Sequence, residues 1–66
     1  MKTYRVRICF GLEYEHATIF FRVNTRWKDI GERNGYIRLC RENVFVDVTR
    51  EQIRNYMVEL KEQNNG

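Results

Sequence analysis

The sequence contains no proline, only two cysteines and a single histidine among its 66 residues. Without proline, reversals of the chain depend on glycine and asparagine, which tolerate positive φ. Cys9 and Cys40 are too few for the disulfide framework of a small secreted domain, so we expect reduced thiols. Together with His16 they are the only soft metal ligands. Because the cysteines are not closely spaced, they do not match a structural zinc site, and we expect no metal or other cofactor.

Long apolar runs are also missing. No stretch approaches the roughly 20 residues of a membrane helix, and the start of the chain alternates arginine with apolar residues instead of resembling a signal peptide. We therefore expect a cytoplasmic protein without a membrane partner. The glycines are isolated, so there is no phosphate-binding loop, and no catalytic motif is present. We expect no enzymatic activity and no catalytic residue.

The length of the chain predicts a single domain over residues 1–66. A domain of this size buries only about 60% of its unfolded surface, so each large apolar side chain matters for stability. The polar tail Glu62–Gly66 is expected to fray.

Two alternating runs, Lys2–Phe10 and Glu15–Val23, predict an N-terminal β-hairpin. A four-residue loop over Gly11–Tyr14 is favoured over a two-residue turn, because it pairs apolar residues across the strands. The predicted pairs are Tyr4 with Phe21, Val6 with Ile19, Ile8 with Ala17, Arg5 with Phe20 and Cys9 with His16. One face of this hairpin would then begin the core, and the other would carry arginines beside an aromatic ring.

The segment Asn24–Gly35 supports two interpretations. Trp27 and Ile30 lie at helical spacing between a potential cap and a glycine, which favours a short helix. The alternative is a strand over Trp27–Arg33, followed by a type I′ turn at Asn34 and the next glycine. That strand would place Ile30 opposite Leu39.

The remaining sequence predicts two strands and a helix. Tyr36–Cys40 and Val44–Val48 have strand character, and the valines alternate as in a half-buried strand. Thr49 with Gln52 forms a capping-box pattern that opens an amphipathic helix over about Arg50–Glu62. The apolar stripe of this helix consists of Ile53, Tyr56, Met57 and Leu60.

These elements predict an α+β fold. We expect a small antiparallel sheet of three to five strands that starts with the N-terminal β-hairpin and is packed on one face by the C-terminal amphipathic helix. A small, partly closed β-barrel that carries the same helix is the alternative.

The charge distribution provides the functional signal. The net charge is +3, and nine of the twelve basic residues are arginine, whose planar fork suits phosphate and carboxylate. The segment from Arg22 to Arg41 contains six basic and two acidic residues, whereas the chain after Arg41 is mildly acidic. The candidate binding residues are Arg5, Arg7, Phe20, Arg22, Arg26, Lys28, Arg33, Arg38 and Arg41.

Two functions of different class fit these residues. The first is a small, non-enzymatic, basic binding protein that associates with nucleic acid and has a regulatory role, because arginines interleaved with aromatics bind phosphates and bases. The second is a protein-binding regulator or inhibitor, of the type that phages and mobile elements use, which blocks an acidic surface of a host protein. The oligomeric state stays open, and a dimer is compatible with either function.

Overall fold

The computed structural model describes residues 2–61. It contains a five-stranded antiparallel sheet, a two-stranded sheet and one short helix, which confirms the predicted α+β class. The prediction for the tail Glu62–Gly66 lies outside the described residues. The elements in chain order are β1 (Thr3–Val6), β2 (Phe10–Glu13), β3 (Thr18–Phe21), β4 (Arg26–Arg33), β5 (Tyr36–Arg41), β6 (Val44–Thr49), α1 (Arg50–Tyr56) and β7 (Met57–Leu60).

The strand order of the large sheet is β6-β5-β4-β1-β7, and β2 and β3 form the separate two-stranded sheet. The N-terminal strand β1 lies inside the large sheet, with an antiparallel neighbour on each side. The sheet is open between its edge strands β6 and β7, so the barrel alternative is not what the chain adopts. β1 comes from the first residues of the chain, whereas both of its partners, β4 and β7, come from later in the sequence.

The predicted first strand is in fact two strands in different sheets. β1 ends at Val6, and β2 begins at Phe10. Between them, the backbone amides of Arg7 and Ile8 both donate to the carbonyl of Tyr56, at 2.7 and 3.1 Å. Backbone groups that bond to the end of the helix do not continue the hairpin ladder. Side-chain alternation does not reveal this break, because the apolar residues keep an even spacing across it.

The hairpin that does form has a different register from the predicted one. It pairs Phe10 with Phe21 and Leu12 with Ile19, so Gly11 lies in a strand instead of a loop. The rings of Phe10 and Phe21 are stacked with their centroids 4.3 Å apart. Other residues of the predicted pairs lie elsewhere: Tyr4 faces Trp27 and Glu59, Arg5 faces Arg26 and Val58, Phe20 faces Gly11, and Cys9 precedes β2. Aromatic stacking at Phe10 therefore sets the register that periodicity alone misassigned.

The segment predicted as a short helix is the strand β4, as in the alternative interpretation. Asn34 and Gly35 have φ angles of 54° and 82°, the positive values that a type I′ turn requires. Arg33 pairs with Tyr36 directly across this turn. Because β4 pairs with both β1 and β5, tertiary pairing outweighs the local helical spacing.

A β-bulge in β4 shifts its pairing with β5. The pairing register shifts between Asp29 and Gly31, so Leu39 faces Asp29 and not Ile30. Gly31 has a φ of 143°, and its amide donates to Oδ1 of Asp29 at 2.9 Å. Trp27 is buried whereas Ile30 is 43% exposed, so the two side chains do not share an apolar face. Residues three apart in a strand point to opposite faces, so strand alternation, and not the helical spacing, determines their burial.

The strands β5 and β6 confirm the sequence prediction to within one residue at their C-terminal ends. The turn between them includes Glu42, which has a φ of 56°. Val46 and Val48 are buried in the core, whereas Val44 at the start of β6 is 39% exposed. The alternating valines were thus a reliable sign of a half-buried strand.

The capping box at the start of α1 is confirmed. Oγ1 of Thr49 accepts from the Gln52 amide at 3.1 Å, and Oε1 of Gln52 accepts from the Thr49 amide at 2.9 Å. The helix is shorter than predicted, because it ends at Tyr56 and Met57–Leu60 forms β7 against β1. Of the predicted stripe, Ile53 is the buried residue within the helix. The free backbone groups of β1 require a partner, and the end of the predicted helix supplies it as a strand.

One hydrophobic cluster joins the large sheet, the hairpin and the helix. Its side chains come from one face of the sheet, which we call the inner face, together with one residue each of β3 and α1. Its members are Tyr4, Val6, Phe21, Trp27, Ile37, Leu39, Val46, Val48, Ile53 and Met57.

Candidate nucleic-acid interface

The second face of the large sheet, which we call the outer face, is opposite the core. Directly paired residues of antiparallel strands point to the same side, so the register identifies its members. They are Thr3 and Arg5 of β1, Arg26, Lys28 and Arg33 of β4, Tyr36, Arg38 and Cys40 of β5, Phe45, Asp47 and Thr49 of β6, and Val58 and Leu60 of β7. This face therefore combines five basic side chains, two aromatic rings and one carboxylate.

Two arginines lie side by side on the outer face. Arg5 is directly opposite Arg26 on the neighbouring strand. Like charges in this position destabilise a sheet. Nη1 of Arg5 donates to the neutral Oδ1 of Asn24 at 3.0 Å, and within residues 2–61 neither arginine has a salt bridge. The pair thus creates a positive region without a salt bridge among the described residues, where β4 begins.

Lys28 extends this positive region toward β5. It pairs with Thr3 on one side and Cys40 on the other, and Arg26, Lys28 and Cys40 border a common surface depression. Next in the same row is Phe45, which is opposite Cys40 and is 60% exposed. A cation and an exposed aromatic ring therefore lie in one row across three strands.

A second exposed ring lies at the other end of β5. Tyr36 is 51% exposed and is directly opposite Arg33. Aromatic faces near cations are the groups on which unpaired bases stack while their phosphates are neutralised.

Asp47 is the one carboxylate on the outer face within the described residues, and Arg38 binds it. Nε and Nη2 of Arg38 donate to the two carboxylate oxygens at 2.9 and 3.2 Å. The hydrogen bond from Arg38 lowers the pKa of Asp47, and the same bond raises the pKa of Arg38. Asp47 therefore neutralises Arg38, whereas Arg5 and Arg26 have no salt bridge within residues 2–61.

The structure brings together five of the nine predicted site residues. Arg5, Arg26, Lys28, Arg33 and Arg38 share the outer face. Arg7 is separate, because its Nη2 donates to the Asn55 carbonyl at 3.0 Å near the end of the helix. Phe20 and Arg22 lie on or beside β3, and Arg41 ends β5. The grouping of these residues by face could not be predicted from the sequence, because the break after β1 and the bulge in β4 change which positions share a face.

Phe45 was not among the predicted site residues. It lies between two valines of an alternating strand, so its side chain points away from the core. The alternation of apolar residues along β6 was the available signal: Phe45 is exposed on one face of the strand, and Val46 and Val48 are buried on the other.

The predicted pairing of Cys9 with His16 does not form. Cys9 is exposed and precedes β2, whereas His16 lies in the reversal between Tyr14 and Ala17. Within residues 2–61, no group of three or more histidine, cysteine or acidic residues has an arrangement that fits a metal ion. The single helix in that range falls well short of the length and apolarity needed to cross a bilayer.

Comparisons with known proteins do not identify a relative. No family model matches the chain, and no curated protein or solved structure matches it either. A functional assignment must therefore depend on the charge, exposure and arrangement of the outer face.

Proposed function

We propose that the protein is a non-enzymatic regulator that binds nucleic acid through the outer face of its large sheet. The observation that carries the proposal is the uncompensated pair Arg5 and Arg26, with Lys28 beside it. Two adjacent guanidinium groups without a carboxylate are unfavourable in the free protein, and a bound phosphate backbone relieves their repulsion.

The aromatic residues support nucleic acid over a simple anion. Phe45 and Tyr36 expose their rings on the same face as the cations. Unpaired bases stack on such rings with little regard to sequence, while arginine and lysine bind the backbone. The surface is the face of a sheet and not a helix of the kind that enters the major groove, which favours a single strand over a duplex.

Fluorescence anisotropy with a dye-labelled, single-stranded oligonucleotide tests the proposal. The titration is carried out at about 50 and about 200 mM salt, since affinity that depends on phosphate contacts falls steeply over this range. The double variant Arg26→Gln, Lys28→Gln should reduce the slope of log K against log salt by roughly 0.7 for each charge removed.

The matched control is Arg54→Gln, which removes a positive charge from the exposed side of α1. Its salt slope should stay close to that of the unmodified protein. Absence of binding at about 50 mM salt would contradict the proposal, because phosphate contacts are strongest at low salt.

An acidic protein surface is the second candidate partner. Arginine and exposed aromatics are also the residue types that dominate protein interfaces, and Val58 adds apolar area at 36% exposure on the same face. A negative result in the oligonucleotide titration would not contradict this second function, in which the outer face blocks a host protein. Copurification with the immobilised protein then tests it, and the double variant should lose the same partner.

A further inference from the structure

A cleft lies between the hairpin and the turn that joins β5 to β6. Its walls combine aromatic, apolar and basic side chains from both sheets. The residues that matter for its chemistry are Phe20, Arg22, Trp27, Arg41 and Val44. Arg22 and Phe20 come from the hairpin side, whereas Arg41 and Val44 flank the β5–β6 turn.

Phe20 presents an open ring at this cleft. It is 69% exposed, far more than the adjacent core residue Phe21. It is paired with Gly11, and a Cβ added at that glycine would lie 3.4 Å from Cδ1 of Phe20. The ring therefore lies against bare backbone on one side and is open to solvent on the other, as a stacking surface requires.

Arginines supply positive charge around the ring. Within residues 2–61, Arg22 has no salt bridge. Nη1 of Arg41 lies 3.6 Å from Oε1 of Glu42, whose side chain is 79% exposed, so that ion pair is weak. An anionic group that enters the cleft would therefore meet two cations with little competition.

Arg41 also connects this cleft to the outer face. It borders the depression that contains Arg26 and Lys28, as well as the cleft that contains Phe20. Basic side chains thus border both sites at the β5–β6 end of the sheet, although Glu42 borders the outer-face depression as well.

We infer that the cleft is a second subsite for the same nucleic acid and that it accepts one unpaired base. The strand follows the outer face, turns at Arg41, and stacks a base on Phe20 with a phosphate between Arg22 and Arg41. This inference rests on the proposed function and adds a second contact site, which takes one base of the single strand. Bases of an intact duplex are paired and stacked on each other, so they do not enter such a cleft.

Trp27 makes the inference directly testable. It is the only tryptophan in the chain, it borders the cleft, and its side chain belongs to the inner face of the sheet. A base stacked on Phe20 should quench the emission of Trp27, whereas a strand held only on the outer face should leave it unchanged. Anisotropy of a labelled oligonucleotide reports total binding in a parallel titration.

The unmodified protein should show quenching of Trp27 in step with anisotropy when oligothymidylate is added. Phe20→Ala should weaken binding by roughly 5- to 150-fold, the range for loss of one stacked base, and should abolish the quenching at saturation. Phe45→Ala is the control: it should weaken binding but retain full quenching at saturation. Arg22→Gln is a second variant of the cleft and should reduce both the affinity measured by anisotropy and the quenching of Trp27.

The outcomes separate the two ideas. Binding by anisotropy with unchanged Trp27 emission and an unchanged affinity of Phe20→Ala would overturn the cleft and leave the outer-face proposal intact. Equal affinity for a duplex of the same length would overturn the preference for a single strand. Absence of all binding would overturn the inference together with the proposed function.

Discussion

At the scale of single residues, Asp47 controls how much positive charge the outer face presents. Its two oxygens accept hydrogen bonds from Arg38, and this bond lowers its pKa, so the carboxylate stays ionised at neutral pH. The remaining cations of the face have no such partner within residues 2–61. Replacement of Asp47 by asparagine therefore makes the outer face more positive with little change in the shape of the side chain.

Asp47→Asn should strengthen oligonucleotide binding, because Arg38 then becomes available to a phosphate. The slope of log K against log salt should steepen by up to roughly 0.7, the increment for one additional single-strand phosphate contact. Anisotropy titrations at several salt concentrations measure this change. Glu51→Gln on α1 removes an equal charge away from the face and is the control. An identical rise in both variants would show that only net charge matters.

At the scale of elements, α1 depends on its neighbours. The helix has seven residues, too few to be stable alone, and it follows β6 and precedes β7 without an intervening loop. The capping box at Thr49 and the buried Ile53 are its main local supports. The backbone carbonyl of Tyr56 accepts hydrogen bonds from two amides of the β1–β2 connection, so the end of the helix also determines where β1 ends.

Thr49→Ala should therefore destabilise the protein by about 1 kcal/mol, since it removes the side-chain acceptor of the capping box. Urea denaturation measures the effect as a lower midpoint at an unchanged m value. Thr18→Ala is a suitable control, because Thr18 is exposed in β3 and has no side-chain hydrogen bond among the described residues. Equal shifts for the two variants would contradict a specific role of the cap.

At the scale of the whole molecule, stability depends on a few aromatic contacts between the two sheets. Phe21 is fully buried, with its ring centroid 4.3 Å from that of Phe10 and 4.6 Å from that of Trp27. Phe10 also stacks on Tyr56 at 4.5 Å. These rings connect the hairpin to the large sheet and to the end of the helix.

Phe21→Ala should strongly destabilise the protein. Removal of a buried phenylalanine costs about 3–5 kcal/mol, and a chain of this length has a total stability of only about 3–10 kcal/mol. Thermal unfolding followed by circular dichroism should show no transition near that of the unmodified protein. Phe20→Ala, one residue earlier but exposed, should unfold with a nearly unchanged midpoint. A similar midpoint for both variants would contradict the assignment of Phe21 to the core.

Several local features could be predicted from the sequence because short-range chemistry determines them. The capping box at Thr49, the alternating valines of β6 and the turn residues Asn34 and Gly35 each require only neighbouring residues. The candidate arginines were likewise visible as a charge pattern, although their grouping was not. The predicted α+β class followed from these elements together.

Tertiary structure decided the remainder, because it depends on pairing between distant residues. β1 ends at Val6, because the amides of Arg7 and Ile8 donate to the carbonyl of Tyr56. Met57–Leu60 forms a strand because one edge of β1 is available for pairing. The bulge in β4 and this early break determine which arginines share a face. The sequence by itself therefore determined local caps, turns and the supply of basic residues. Only long-range hydrogen bonding and ring stacking placed Arg5 beside Arg26 and left that face open.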